Sequence, residues 1–227
     1  MNQLSPIQLL PARDRVAAAL REAILSHQLL PGRELSLKDA AHMLGVSVTP
    51  VREAFQMLDQ EGLIELRPNR GAIVLGLSEK TIRDHYELRA ILERDAAASV
   101  CRNGADLSDI REAFLQAKEA LARGDSLAYG NYNELFHMAI WTAKGNKKIV
   151  QTLSQLWNGL SMGHKVTRES YAQISMAEHS KIMEALERRD AKAAEELMDR
   201  HIHRSMENIL THLSAALEQE PHTEEKK

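Results

Sequence analysis

Three histidines and one asparagine are spaced so that four metal ligands could meet. Asn133 and His137 lie four residues apart in "YNELFHMAI", so a helix would place them on one face. His179 comes eleven residues before Asp190, where the chain is expected to turn, and His201 comes eleven residues after it. In an antiparallel helix pair closed by a short loop, these two histidines lie level with one another. Three imidazole nitrogens and an amide oxygen could then bind a divalent metal ion inside a helical bundle.

The spacing alone does not require a metal. The chain contains ten histidines, and three of them in helices can align by chance. In the alternative interpretation, His137 and His179 are partly buried, hydrogen-bonded histidines and His201 is a surface residue. On spacing alone, both interpretations stay open.

A second group of chemically useful side chains lies in "GVSVTPVREAF", residues 45–55. Ser47 is a favourable N-cap, since its hydroxyl can accept a hydrogen bond from the first helical turn. Pro50 would be the third helical residue, where its missing N–H breaks no intrahelical hydrogen bond. Thr49 and Arg52 fall outside the predicted buried stripe, so they could face nucleic acid near the helix N-terminus. That stripe comprises Val51, Ala54, Phe55 and Leu58.

The flanking elements predict a winged helix-turn-helix. "LKDAAHML" favours a short helix that Ser36 would cap. Ala41, Gly45 and Val51 then provide a small contact residue, a turn glycine and an apolar lock between two helices. "LIELR" and "GAIVL" flank "PNRG", which predicts a β-hairpin with Arg70 at its tip.

Six helical segments follow, and their short connections predict an antiparallel bundle. The segments cover 79–102, 107–123, 125–143, 146–164, 172–188 and 190–218. The predicted fold class is mainly α, with an N-terminal winged helix-turn-helix domain at 1–77 and a C-terminal all-α six-helix bundle at 78–227.

Charge and composition narrow the classes of partner. The net charge is −3, with 8 basic and 8 acidic residues up to Leu77 and 21 basic and 24 acidic residues from Ser78 onward. DNA binding would therefore depend on where individual charges lie. The sole cysteine, Cys101, excludes an intramolecular disulfide and fits a reducing cytoplasm. Because no apolar run approaches the ~18 residues of a membrane span, we expect a cytoplasmic protein with no membrane partner.

The stretch "PGRELSLKDAAHMLGVSVTPVREAFQMLDQEGLIELRPNRGAIV" resembles the N-terminal domain of GntR-family transcription regulators. The resemblance implies binding to a double-stranded DNA operator. Many members of the family carry an arginine where this chain has Val48, so the base contact at that position is missing or replaced by an apolar one. The family's DNA contacts map onto Lys38, Ser47, Thr49, Arg52, Arg70 and Gly71. Taken alone, Arg52 could instead form a surface ion pair with Glu53 or Asp59.

The helical part resembles the FCD ligand-binding domain of the FadR branch of this family. The matching stretches are "ELRAILERDAA", "NELFHMAIWTAKGN" and "EHSKIMEALERRDAKAAEELMDRHI", and six helices favour the VanR-like subgroup. Members that bind a metal use one Asp and three His, which carry over onto Asn133, His137, His179 and His201. This chain departs from the pattern at position 133, because a neutral amide oxygen replaces a carboxylate.

The resemblance implies a homodimeric regulator, most often a repressor, that senses a small carboxylic acid, with zinc or nickel as the metal. Arg89 would meet the effector carboxylate through its planar guanidinium. The alternative for Arg89 is an i,i+4 pair with Glu93 on a solvated face. Trp157, Met138 and Met162 are core residues or line a cavity.

Two alternative functions remain for the helical domain. A metal-dependent hydrolase could use three histidines and an open position on the metal. The sequence contains no H-E-x-x-H motif and no clearly placed general base, however. A dedicated metal-ion sensor, in which the metal is itself the signal, would use the same ligands.

Overall fold

The computed structural model describes residues 11–26, 28–68, 70–160 and 169–218. Its chain divides into two compact units between Ser78 and Glu79. The first unit is mixed α and β, and the second is built from helices. No helix in these ranges combines the length and the apolar character that a bilayer span requires.

The first unit contains three helices and a small antiparallel sheet. Its elements are α1 (Ala12–Leu25), β1 (Glu34–Leu35), α2 (Leu37–Leu44), α3 (Val48–Gln60), β2 (Ile64–Arg67) and β3 (Gly71–Val74). The strand order is β1-β3-β2, so the predicted hairpin of β2 and β3 is confirmed and gains a third strand that the sequence did not predict. The predicted apolar stripe of α3 is also confirmed, since its four members are all buried.

The caps of α2 and α3 fix the helix-turn-helix. Ser36 caps α2 by accepting a hydrogen bond from the Asp39 N–H at 3.1 Å, and Gly45 ends α2 with a left-handed φ of 63°. Ser47 occupies the N-cap position of α3, but its hydroxyl accepts no hydrogen bond from a described N–H of the first turn. Pro50, the third helical residue, has no N–H and so removes one of the two usual donors to this cap.

The second unit contains six helices among its described residues. They are α4 (Glu79–Arg102), α5 (Ser108–Ala122), α6 (Ser126–Ala143), α7 (Lys147–Leu160), α8 (Glu169–Glu187) and α9 (Ala191–Glu218). Helix α4 packs along α9, α5 packs along α6, and α8 contacts both α9 and α5. Helix α8 begins three residues before the predicted start at 172, and Met162 lies outside the described residues.

A tight turn sets the register of α8 against α9. Arg189 adopts a positive φ of 56° in this turn. The Asp190 side chain then caps α9 by accepting a hydrogen bond from the Ala193 N–H at 3.0 Å. Because the turn is short, residues equally distant from it on the two helices lie side by side.

Candidate metal centre and nucleic-acid interface

His137, His179 and His201 meet in the interior of the helical unit. They come from α6, α8 and α9, and each is at most 4% exposed. One ligand nitrogen from each ring lies within 4.8 Å of the other two. The Nε2 atoms of His179 and His201 are 3.2 Å apart. Two nitrogens that bind one tetrahedral zinc ion at ~2.0–2.1 Å are separated by about 3.3 Å, so this spacing suits a shared metal.

The alternative interpretation of these histidines is wrong for His201, which is buried and not on the surface. The level placement of His179 and His201 about Asp190 is present in the structure, with their ring centroids 4.6 Å apart. The His137 ring lies 5.1 Å from the His179 ring and 5.2 Å from the His201 ring.

Two glutamates orient two of the three imidazoles. The His137 Nδ1 lies 2.6 Å from a carboxylate oxygen of Glu93, and the His201 Nδ1 lies 2.7 Å from a carboxylate oxygen of Glu178. A carboxylate can only accept here, so the proton belongs on Nδ1 and the lone pair on Nε2. Both rings therefore direct a ligand nitrogen away from the carboxylates, as metal-binding histidines with carboxylate partners do.

Arg89 both pairs with Glu93 and faces the interior, which the sequence presented as alternatives. It does pair with Glu93, through Nε at 2.9 Å and Nη2 at 2.6 Å. The expectation of a solvated face is wrong, because Arg89 and Glu93 are 4% and 0% exposed. The guanidinium also lies 4.7 Å from the centre of the Trp157 ring, so the arginine points into the unit.

The buried charges reinforce one another. Burial alone would raise the pKa of Glu93, but the neighbouring Arg89 and His137 lower it well below its ordinary value. Glu178 has the same balance: burial raises its pKa, but the hydrogen bonds from His201 and Arg204 outweigh this effect and lower the pKa below its ordinary value. Both glutamates are therefore anionic at neutral pH.

Burial keeps the imidazoles of His179 and His201 neutral and able to ligate. It lowers the pKa of His179 well below its ordinary value and that of His201 to about 4. Only a neutral imidazole offers the lone pair that a metal needs.

Asn133 lies one turn before His137 on α6. Its Oδ1 is buried and has no hydrogen-bond partner among the residues that the structure describes. A buried amide oxygen without a partner costs free energy, so an oxygen placed this way fits a metal ligand. The donor set of three imidazoles and one amide oxygen fits zinc or nickel, because both accept nitrogen and oxygen donors.

The sequence did not indicate Glu93, Glu178 or Trp141 as parts of this site. The Trp141 Nε1 donates a hydrogen bond to Glu93 at 3.1 Å. Glu178 directly precedes His179, yet it orients His201 on the next helix. The position of Glu178 beside a ligand histidine was an available signal, whereas Glu93 is 44 residues from His137 and reaches it only through helix packing. Since hydrogen bonds to histidine and arginine occupy both carboxylates, neither is placed as the general base that a hydrolase needs.

The nucleic-acid candidates lie around the N-terminal ends of α2 and α3 and in the wing. Arg52 forms no ion pair with Glu53 or Asp59 in the described structure, and Asp59 instead accepts a hydrogen bond from the Leu66 N–H at 2.9 Å. Gly71 is partly buried and has a steric role of its own, because a Cβ atom there would lie 2.0 Å from the carbonyl oxygen of Leu35. The candidates with exposed side chains are Lys38, Ser47, Thr49, Arg52 and Arg70.

Comparison with known families identifies both units. Residues 12–74 match the family described as bacterial regulatory proteins of the gntR family, and residues 84–204, more than half of the chain, match the FCD domain. This chain belongs to the GntR family of transcription regulators, in its branch with an FCD domain. It is a DNA-binding transcription regulator and not an enzyme. Its VanR-like subgroup stays a prediction.

The sequence similarity to known transcription regulators extends over most of this GntR-family chain. The HTH-type transcriptional repressor RspR of Escherichia coli K12 is 27% identical over 217 residues, which cover 92% of each chain. The gluconate operon transcriptional repressor of Bacillus licheniformis is 30% identical over 71% of this chain and 64% of its own length. Among solved structures, a putative GntR regulator from Rhodococcus sp. RHA1 matches with a TM-score of 0.62 at 28% identity, covering 88% of this chain and 97% of that one.

Proposed function

We propose that this GntR-family regulator senses a small organic acid through a divalent metal ion held by His137, His179 and His201. Asn133 would be a weak fourth ligand. The observation that carries the proposal is the meeting of three buried imidazoles from three helices, two of them oriented by carboxylates. A metal ion supplies a Lewis-acidic centre to which carboxylate oxygens can bind.

The residues around the metal ligands have separate tasks in this proposal. Glu93 and Glu178 keep the protons of His137 and His201 on Nδ1, so that the ligand nitrogens stay available. Arg89 holds Glu93 in place and faces the interior, where its guanidinium could also contact an effector.

The winged helix unit would contact a palindromic operator through Lys38, Ser47, Thr49, Arg52, Arg70 and Gly71. The exposed N-terminus of α3 supports this proposal, as does the spare hydroxyl of Ser47. A homodimer would present two such units, and the exposed aliphatic side chains of Leu88 and Ile91 on α4 offer apolar surface for a second copy. We expect a repressor whose effector releases the operator, which requires that the effector bind one dimer arrangement better than the other.

The metal proposal is tested by elemental analysis of untagged protein after incubation with zinc or nickel and removal of free metal. We expect one ion per chain in the wild type and loss of the ion in His179→Ala and His201→Ala. His203→Ala is the matched control, because His203 is an exposed histidine on the same helix as His201. A metal-free wild type, or full retention by both buried-site variants, would return these histidines to a structural role.

The DNA proposal is tested with Arg52→Ala in an operator titration at fixed salt. Loss of one arginine–base contact should weaken operator binding by ~1–3 kcal/mol and reduce discrimination against altered bases. Arg123→Ala is the control, since Arg123 is an exposed arginine of the helical unit. Unchanged operator affinity in a folded Arg52→Ala protein would remove Arg52 from the interface. Titrations with metal alone and with metal plus organic acids distinguish an acid sensor from a sensor of the ion itself.

A further inference from the structure

The charges of the two glutamates that contact the histidines are each cancelled by an arginine. Glu93 is bound by Arg89 through Nε and Nη2. Glu178 is bound by Arg204, whose Nη2 lies 2.7 Å from its Oε2 and whose Nε lies 2.9 Å from its Oε1. Each carboxylate and its arginine partner therefore form a pair with no net charge.

The ligand atoms themselves are neutral. Three imidazoles and the amide oxygen of Asn133 bring no negative charge to the ion. The proposed divalent metal would thus leave two positive charges uncompensated in a site whose histidines are nearly fully buried. An uncompensated charge in a buried site is costly, so the bound state favours a partner of opposite charge.

Glu93 and Glu178, the carboxylates that hydrogen-bond two of the histidines, are already paired with arginines and leave no spare negative charge for the ion. Position 133 holds an amide where a carboxylate would have supplied one of the two missing charges. We therefore expect a bound ligand to supply the compensating charge.

We propose that the effector of this regulator is a small dianion that binds the metal ion and supplies both missing negative charges. The inference rests on the metal-dependent function proposed above and narrows it from organic acids in general to ligands with two negative charges. A dicarboxylate and an inorganic dianion share this chemistry.

The test uses the full chain loaded with zinc at pH 7.5. Isothermal titration calorimetry measures its affinity for three probes. Malonate is a dianion, its monomethyl ester is a monoanion of nearly the same size, and sulfate is an inorganic dianion. We expect malonate to bind more tightly than the monomethyl ester by roughly tenfold or more, because the second charge acts at short range in a buried site. Sulfate distinguishes the sources: binding as tight as that of malonate indicates recognition of charge alone, and weaker binding indicates a dicarboxylate.

Asn133→Asp provides the decisive comparison. The new carboxylate cancels one positive charge, so the preference for malonate over its monoester should fall by about tenfold. Asn131→Asp is the matched control, since it adds the same charge on an exposed position of the same helix and should keep the wild-type preference. Zinc content is measured after every titration.

The outcomes separate the two proposals. If zinc is bound but the wild type shows no preference for malonate, or if Asn133→Asp keeps that preference, the dianion inference is wrong and the metal site stands. If the wild type binds no zinc, the metal-dependent function fails and the dianion inference fails with it.

Discussion

Glu93 and Glu178 perform the same task for two histidines in different surroundings. Glu93 is 0% exposed, and its partner Arg89 is 4% exposed. Glu178 and Arg204 are 28% and 26% exposed, so water reaches both members of that pair. Because both glutamates orient a histidine but only one belongs to a fully buried pair, variants at the two positions can separate an effect on metal affinity from an effect on folding.

We predict that Glu93→Gln and Glu178→Gln both weaken zinc affinity by ~10–100-fold, because each removes the carboxylate that orients a ligand histidine. Glu93→Gln should also destabilise the metal-free chain by ~3–5 kcal/mol, since it removes the carboxylate that faces the buried Arg89 guanidinium. Glu178→Gln should cost clearly less. Urea unfolding in chelator and zinc competition titrations measure the two effects. Equal loss of stability in the two variants would contradict this account of the buried pair.

We expect His85 to contribute a pH dependence of its own, separate from the three clustered histidines. Its Nε2 is buried without a hydrogen-bond partner in the described structure, and burial lowers its pKa to about 3, with Arg89 acting in the same direction. Between the ordinary pKa of 6.5 and about 3, the unfolded chain binds the proton and the folded chain does not. The free energy of unfolding must therefore fall as the pH falls through this range.

We predict that His85→Gln flattens this acid destabilisation. A single histidine contributes up to ~1.4 kcal/mol per pH unit, and the variant should lose that contribution. Urea unfolding of both chains in chelator, at several values between pH 7 and pH 4.5, measures the difference in slope. Part of the slope should remain in the variant, because burial also lowers the pKa values of His179 and His201. Identical slopes in the two chains would show that His85 is not responsible.

At the scale of secondary structure, β1 is the element that ties the wing to the rest of its unit. Leu35 pairs with Ala72, and Glu34 pairs with Ile73. Gly71 begins β3 with a φ of 94° and lies so close to β1 that a Cβ atom would contact the backbone of Leu35. A glycine at the wing is thus required by packing before any contact with DNA is considered.

We predict that Gly71→Ala destabilises the first unit by more than Gly32→Ala. Both glycines have a positive φ, so each substitution should lower the free energy of unfolding by roughly 1–2 kcal/mol through the left-handed conformation alone. At Gly32, a Cβ atom would meet nothing within 4 Å, whereas at Gly71 it would lie 2.0 Å from the Leu35 carbonyl oxygen. Thermal unfolding of the two variants and the wild type measures the difference. If both variants lose the same stability, the close approach of β1 and β3 is not the reason for the glycine.

Elements governed by local signals could be predicted from the sequence, and contacts between distant elements could not. The α8–α9 turn was predictable because Asp190 marks it locally, and a short turn fixes where His179 and His201 lie. Strand β1 was not, because its two residues become a strand only by pairing with β3. The same holds for Glu93 and His137, which are 44 residues apart and meet because α4 and α6 pack together. The missing Ser47 cap bond contradicts the expectation from the sequence, and Pro50 explains it only in part because it removes one of two usual donors.

At the scale of the whole molecule, DNA binding has to operate without a basic domain. The first 77 residues carry equal numbers of basic and acidic side chains. Phosphates would instead meet individual exposed cations, such as Lys38 and Arg52, together with the N-terminal ends of helices. Counterion release depends on these local contacts and not on the net charge of the domain.

We predict that operator binding is steeply dependent on salt in spite of the neutral domain. A dimer that contacts ~6–10 phosphates should lose ~10³–10⁵ in affinity between about 50 and 200 mM salt. Titrations of a labelled operator across this range measure the slope of log affinity against log salt. A scrambled duplex of equal length controls for sequence-independent binding. A nearly flat slope for the operator would contradict a phosphate-contacting dimer.

The positions of the tryptophans give the histidine cluster an optical signal of its own. The chain contains two tryptophans, and both lie beside the cluster. Trp141 donates its hydrogen bond to Glu93, and the ring of Trp157 lies 5.1 Å from that of His137. Since the winged helix unit has no tryptophan, the intrinsic fluorescence of the chain originates only from the helical unit. Paramagnetic nickel at the cluster should quench this emission, whereas closed-shell zinc should shift it, so occupancy of the site can be followed without a label while the protein is bound to DNA.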